Sequence, residues 1–172
     1  MSLDMIAFVI FAATIVERLI ELVVSRRNAA WSLARGGVEF GAGHFKWMVV
    51  MHTAFLFSMV TEFVFQGSSL PDEVRIWAIF LAILCQVMRW WIIRSLGYQW
   101  NTRVIVVPGM PRVISGPYQF VNHPNYIVVA LETAVLPLIF SSWRTALVFS
   151  VLNALMMRVR IRVENDALRG LQ

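Results

Sequence analysis

The sequence predicts an all-α integral membrane protein with about five transmembrane helices, and three observations carry that prediction. Of its 172 residues, 59% are hydrophobic and only 15% charged, with a mean hydropathy of +0.69, far from the balance of a soluble domain. The apolar residues fall in runs of bilayer length. The basic residues that give a net charge of +5 sit at the ends of those runs and form no dense stripe. The high pI of about 10.3 therefore reports membrane topology, and no nucleic-acid partner is expected.

Met5–Val24 is a 20-residue apolar run, about 30 Å long as a helix, which matches a bilayer core. It begins beside Asp4, lacks a basic leading region and is followed by no small-residue cleavage pattern, so it is expected to be retained as a span. Phe45–Phe65 and Val74–Ile93 are two more full-length runs. The stretch QGSSLPDE between them carries Gly and Pro that favour reversal, which predicts a helical hairpin. Tyr126–Phe140 and Trp143–Met157 follow, split by Ser141 and Ser142 after the breaker Pro137. Each is short. They either cross with their polar flanks included or form a tilted, re-entrant hairpin.

Loop charges orient the chain. Eleven basic residues (Arg26, Arg27, Arg35, Lys46, Arg94, Arg103, Arg112, Arg158, Arg160, Arg162 and Arg169) fall on one side, against Arg75 and Arg144 on the other. Lys and Arg collect in the cytoplasm, so an outside N-terminus is expected, with the long loop and the tail facing the cytoplasm. With no linker and no internal period, residues 1–172 are read as one membrane-embedded domain. Residues 1–94 supply the N-terminal spans, and 95–172 supply the loop, the C-terminal hairpin and the tail. No signature of a particular oligomeric state is present.

Several polar groups lie inside the spans: Glu17, Arg18 and Glu21 in the first, Glu62 in the second, Arg89 in the third and Glu132 in the fourth. Ionised groups there face partners or water. Glu17 and Glu21, four apart, share a helix face and line a polar cavity, pair with Arg18 or Arg89 to fix packing, or snorkel toward an interface. The single cysteine, Cys85, reads as a small buried apolar residue. His44 and His52 read as packing or interfacial residues, and with His123 remote no metal-binding spacing exists.

The longest segment outside the spans is RSLGYQWNTRVIVVPGMPRVISGPYQFVNHPN, Arg94–Asn125, and loops of this length are often functional. Alternation in Arg103–Val107 and Arg112–Ser115 around the turn PGMP suggests an interfacial β-hairpin. The dense polar and aromatic cluster GPYQFVNHPNY then enters the next helix, with Pro124 at a helix start and His123 or Asn125 available to cap free backbone donors. In the tail, RVRIRVENDAL puts Arg160 and Glu164 on one helical face. A basic helix end anchored on anionic headgroups accounts for the positive charge, and the carboxylate beside Arg160 is unexplained by it.

A GxY turn, HPxY entering an apolar helix, and a later RxxxE with Leu four residues beyond are here Gly116, Tyr118, His123-Pro124-Asn125-Tyr126, Arg160, Glu164 and Leu168. This pattern resembles the C-terminal half of the isoprenylcysteine carboxyl methyltransferase family. Over most of the chain, ERLIELVVSRRNAAW, LGYQWNTRVIVVPG and RVRIRVENDAL are similar to a bacterial branch associated with O-methylation of long-chain alkylpyrones.

The resemblance implies a membrane enzyme, in a bacterial cytoplasmic membrane, that uses S-adenosyl-L-methionine. Met110, Pro111, Arg112 and Val113 would line the cofactor pocket, largely through backbone groups. Tyr118, His123, Pro124, Asn125, Tyr126 and Glu164 would complete it, and Arg160 would meet the acceptor as the catalytic residue. Two positions depart from the family: Asn122 stands where an Arg commonly precedes HPxY, and Asn165 stands where a second Glu commonly follows Glu164.

The chemistry is compatible with these residues. A sulfonium cofactor favours carboxylates, aromatic faces and hydrogen-bonding groups. Methyl transfer is an in-line displacement that depends on alignment, worth about 7–11 kcal/mol in favourable cases. The expected partners are membrane lipids and a lipophilic small-molecule acceptor that offers an alkylpyrone hydroxyl, another enol or phenol, or a prenylated carboxyl group. Two other classes are a non-catalytic membrane assembly protein, which would not bind the cofactor saturably, and a nicotinamide-dependent membrane reductase, for which no GxGxxG fingerprint is present.

Overall fold

A computed structural model describes residues 2–171, apart from the side chains of His44 and Leu171; the packing role expected of His44 lies outside that description. Five α-helices and one small sheet make up the described chain: α1 (Leu3–Leu33), β1 (Val38–Phe40), α2 (Ala42–Gln66), α3 (Asp72–Leu96), β2 (Val104–Val106), α4 (Pro124–Ile139) and α5 (Trp143–Leu171). Single 3₁₀ turns, Gly97–Gln99 and Gly116–Gln119, flank the β2 region.

The helix ends follow from local chemistry. The Ser2 hydroxyl accepts from the Met5 N–H at 3.3 Å and caps α1. Asp72 and Glu73 occupy the first turn of α3 and Arg94 the last, each favourable to the helix dipole. Pro124 opens α4, where its missing N–H costs nothing. His123 takes the N-cap position but makes no side-chain capping bond; its ring is engaged elsewhere, so the cap expected of His123 or Asn125 is replaced by the proline. The start of α5 is capped from a distance: Glu62 of α2 accepts from the Arg144 N–H (3.0 Å), the Thr145 N–H (2.8 Å) and the Thr145 hydroxyl (2.7 Å).

Two helices, Phe45–Gln66 and Asp72–Gln99 with its terminal turn, are long and apolar enough to cross a membrane by length and composition, and Pro124–Ile139 is a shorter apolar helix. The 31 residues of α1 extend about 46 Å but carry Glu17, Arg18 and Glu21 within the apolar run. The 29 residues of α5 reach about 44 Å, so the basic tail continues the fifth apolar segment as one helix. The expected hairpin of the second and third runs exists as a connection across Gly67–Pro71, yet α2 packs chiefly on α5 and α3 chiefly on α4.

One core cluster joins all five helices around Ala7, Met59, Ala82, Leu136, Ile139, Phe140 and Phe149, with Phe140 meeting Phe8, Phe11 and Phe63 edge-on. At that end Arg75, 3% exposed, donates to the Ile139 carbonyl (3.0 Å) and to Asp4 (2.5 Å); counted as a loop charge from sequence, it is a buried strut. A second cluster, Cys85, Ile92, Ile93, Trp100 and Val128, packs α3 against α4 and the following loop. Cys85 is buried there at 4% exposure.

Between the two clusters lies an ion-pair network. Arg18 pairs with Glu21 (2.6 Å) and Glu132 (3.2 Å), and Arg89 pairs with Glu132 and with Glu21 (3.4 Å). Glu21 therefore realises the packing alternative and ties α1 to α3, while Glu132 brings α4 into the network. The Glu17 Oε1 atom is buried without a hydrogen-bond partner.

The strand-like alternation of the long loop is also placed differently. β2 pairs antiparallel with β1 of the α1–α2 connection, Glu39 opposite Ile105, and residues 112–115 form no strand. A local hairpin leaves the apolar face of Val104–Val106 without cover. β1 brings it against α1 and α5.

Candidate active site

A cleft of about 150 Å³ opens at the end of the bundle where α1 and α3 finish and α4 begins. β2 forms one wall, the loop after it another, and the C-terminal half of α5 closes the side. Gly116 sets the course of the loop. Its φ is +60°, and a Cβ there would lie 2.2 Å from Ser95 Oγ and 3.2 Å from Trp91 Nε1, so both backbone conformation and space require glycine.

Met110, Arg112, Val113, Tyr118, His123, Asn125, Tyr126, Arg160 and Glu164 all line the cleft, as do Asn122 and Leu168. Pro111 and Pro124 do not. The Pro111 carbonyl accepts from Gln99 Nε2 at 3.3 Å, and Pro124 faces a second cavity between α3 and α4. Residues not singled out from sequence also line the cleft, among them Ser32, Gln99, Trp100, Asn101 and Arg103. All but Ser32 belong to the opening of the long loop, whose polar and aromatic run QWN was the available signal.

Glu164 is the electrostatic centre. The Tyr126 hydroxyl donates to its Oε2 at 2.5 Å, and His123 Nδ1 lies 3.4 Å from its Oε1. The other His123 nitrogen meets Asn165 Oδ1 at 3.2 Å. Burial alone would raise the Glu164 pKa, but the bonds from His123 and Tyr126 and the charges of His123 and Arg160 outweigh it and hold the carboxyl below its usual range. The same bond to Glu164, opposed by burial, raises His123. Burial first, then the Glu164 charge, keeps the Tyr118 hydroxyl protonated well above its ordinary value.

Arg160 reaches across the cleft floor. It donates to the Thr102 carbonyl at 2.9 Å and to Met48 Sδ, and its guanidinium lies 5.6 Å from the Tyr126 ring centre. Its Nε has no partner. Arg103 is neutralised by Glu39 at 3.2 Å.

Unsatisfied polar atoms concentrate here. Among the described residues, eight buried side-chain N or O atoms lack a hydrogen-bond partner, and five of them (Trp100 Nε1, Asn101 Nδ2 and Oδ1, Asn125 Oδ1 and Arg160 Nε) belong to cleft residues. Buried polar groups are normally bonded, so this set of donors and acceptors fits a ligand rich in polar groups.

The second cavity, about 200 Å³, is lined almost wholly by apolar side chains of α3, α4 and the GPYQFV segment. The segment 117–127 separates the two: Tyr118, Asn122, His123, Asn125 and Tyr126 border the polar cleft, while Pro117, Phe120, Val121, Pro124 and Ile127 border the apolar groove.

Residues 77–170, more than half of the chain, match the Isoprenylcysteine carboxyl methyltransferase (ICMT) family. The chain is 37% identical over 164 residues to the Bacillus subtilis protein YpbQ, covering 94% of this chain and 96% of that one. It is 26% identical over 162 residues to an uncharacterized Haemophilus influenzae protein, covering 94% of each. The protein therefore belongs to the isoprenylcysteine carboxyl methyltransferase family.

Proposed function

We propose that the cleft binds S-adenosyl-L-methionine and that the protein transfers its methyl group to an oxygen of a lipophilic, membrane-resident acceptor. Members of this family are membrane-embedded methyltransferases with that methyl donor. The observation that carries the reading for this chain is that residues with unpartnered buried polar atoms line the same cleft as a single carboxylate, Glu164. Trp100, Asn101 and Asn125 offer the donors and acceptors that a purine, a ribose and an amino-acid tail require. Glu164 and the faces of Tyr118 and Tyr126 suit a cation. When bound, the cofactor supplies an electrophilic methyl on a sulfonium centre.

The residues bind and align. Arg160, held by Thr102 and Met48, keeps one unpartnered N–H and a planar cation with which to hold an enolate or carboxylate oxygen. An acceptor already ionised needs no strong general base. A dry site then favours reaction, because opposite charges are neutralised as the bond forms. The hydrocarbon chain of the acceptor lies in the apolar groove between α3 and α4, whose outer residues Leu131, Ile127 and Phe120 are exposed as a bilayer-facing surface requires. An alkylpyrone hydroxyl and a prenylated carboxyl both satisfy this chemistry, and similarity to the alkylpyrone branch favours the first. In this reading all five helices of the single domain lie across or within the cytoplasmic membrane. The cleft opens to the cytoplasm, in keeping with the basic residues around it.

Purified protein incubated with methyl-labelled S-adenosyl-L-methionine and a membrane lipid extract should transfer label to an O-methylated lipid identified by mass spectrometry. Arg160→Ala should lower turnover at saturating cofactor by roughly 100-fold or more while leaving cofactor affinity within a few-fold. Absence of cofactor binding to the wild type would reject the enzyme reading and favour a non-catalytic assembly protein.

A further inference from the structure

Three arginines line the cleft, and their environments differ. Arg103 is paired with Glu39. Arg160 is anchored on the cleft floor by Thr102, Met48 and the Tyr126 ring. Arg112 lies on the exposed loop at the rim, and among the described residues it has no carboxylate partner and a single long hydrogen bond, from its Nη2 to the Asn122 carbonyl at 3.4 Å. Its bond to Asn122, and its place in the lining of the same cleft as Tyr118 and His123, set the guanidinium on the polar side of the segment that divides the two cavities. A planar cation with most of its donors free, on the water-facing edge of a site otherwise centred on a carboxylate, is the natural receptor for an anion.

We infer that Arg112 is the cleft's carboxylate receptor, binding the α-carboxylate of the amino-acid end of the cofactor at the solvent rim, with its side chain steered there by the Asn122 carbonyl. The inference rests on the cofactor reading above and deepens it. Asn122 itself brings no charge to the position before HPNY, and the cation arrives instead from a residue ten positions earlier in the chain. The carboxylate is the most strongly hydrated part of the ligand, and a rim position leaves it partly in water. The opposite polarity, carboxylate inward, would place it beside the negative charge of Glu164.

The test compares S-adenosyl-L-methionine with its decarboxylated analogue by calorimetry. The analogue keeps the adenosine, sulfonium and amine and lacks only the anion. Wild-type protein should prefer the intact cofactor by on the order of 10- to 100-fold, the range of a charge-assisted contact. Arg112→Ala should bind the two alike, and Arg112→Lys should keep part of the preference. The inference is overturned if the wild type shows no preference, if Arg112→Ala retains it, or if Arg112→Ala weakens both ligands in proportion, as a folding defect would. Failure of the wild type to bind either ligand would instead bring down the cofactor reading, and this inference with it.

Discussion

Glu164 and His123 show how single residues are tuned in this cleft. The carboxylate accepts from Tyr126 on one oxygen and faces His123 on the other, so it is held in place and ionised before any ligand arrives. Glu164→Ala should weaken binding of S-adenosyl-L-methionine roughly tenfold or more, the cost of losing a charge-assisted contact; unchanged affinity by calorimetry would exclude it from the site. The pair also has a defined pH window. His123 is raised above 6.5 in the folded state, so its stabilisation is complete below that value and disappears as pH rises through the raised pKa. Glu164 is lowered from 4.5, so its share is complete above that value and is lost as pH falls through the lowered pKa. The pairing is therefore fullest between about 4.5 and 6.5. In detergent, the stability gap between wild type and His123→Ala should carry a pH-dependent part of about 1 kcal/mol in that window, shrinking at higher pH. A gap that does not vary with pH would dismiss the pair as a stabilising contact.

At the scale of the element, three devices join helices that are distant in sequence. Glu62 caps α5 from α2, Arg75 ties the α1 terminus to the end of α4, and the Arg18–Glu21–Arg89–Glu132 network links α1, α3 and α4. Glu62→Ala leaves two backbone donors and a hydroxyl without their acceptor and should cost about 1–3 kcal/mol. That loss is readable as a lower melting temperature in detergent. Because the cap lies at the bundle end away from the cleft, cofactor affinity should hold. A melting temperature equal to that of the wild type would show that water or lipid replaces the cap. The same charges explain why α1, although the sequence expects a span over Met5–Val24, is not among the helices apolar enough to cross by composition: hydropathy counts each ion separately, whereas packing compensates Arg18 with two carboxylates.

For the whole molecule, the central expectation is topological. With Ser115→Cys beside the cleft and Ser69→Cys in the α2–α3 turn, and with native Cys85 buried, a membrane-impermeant thiol reagent should label the two introduced sites from opposite sides of the membrane. Labelling from one side would reject the five-helix crossing. Much of the helix layout was legible in the sequence. The apolar runs set α2, α3 and the cores of α1, α4 and α5 within a few residues, because hydrophobic length and Pro or Gly breaks are local properties. The cluster GPYQFVNHPNY and the pair Arg160 and Glu164 were legible as a motif. The membership of the Trp100–Asn101 segment was not, because that segment is placed by contacts more than sixty residues away: Asn28 Nδ2 donates to the Trp100 carbonyl at 2.7 Å, and Ser25 receives the Thr102 N–H at 3.0 Å.

By itself the sequence determined a mostly helical architecture, the bilayer-length apolar runs of α2 and α3, and the residue types of the motif, all of which depend on composition over one or two dozen residues. Tertiary structure alone decided that β2 pairs with β1, that α5 runs unbroken from its apolar half into the basic tail, and which side chains of the motif border which cavity. The physical reason is the same in each case. A strand or a buried charge is completed by a partner, and in this chain those partners arrive from segments distant in sequence.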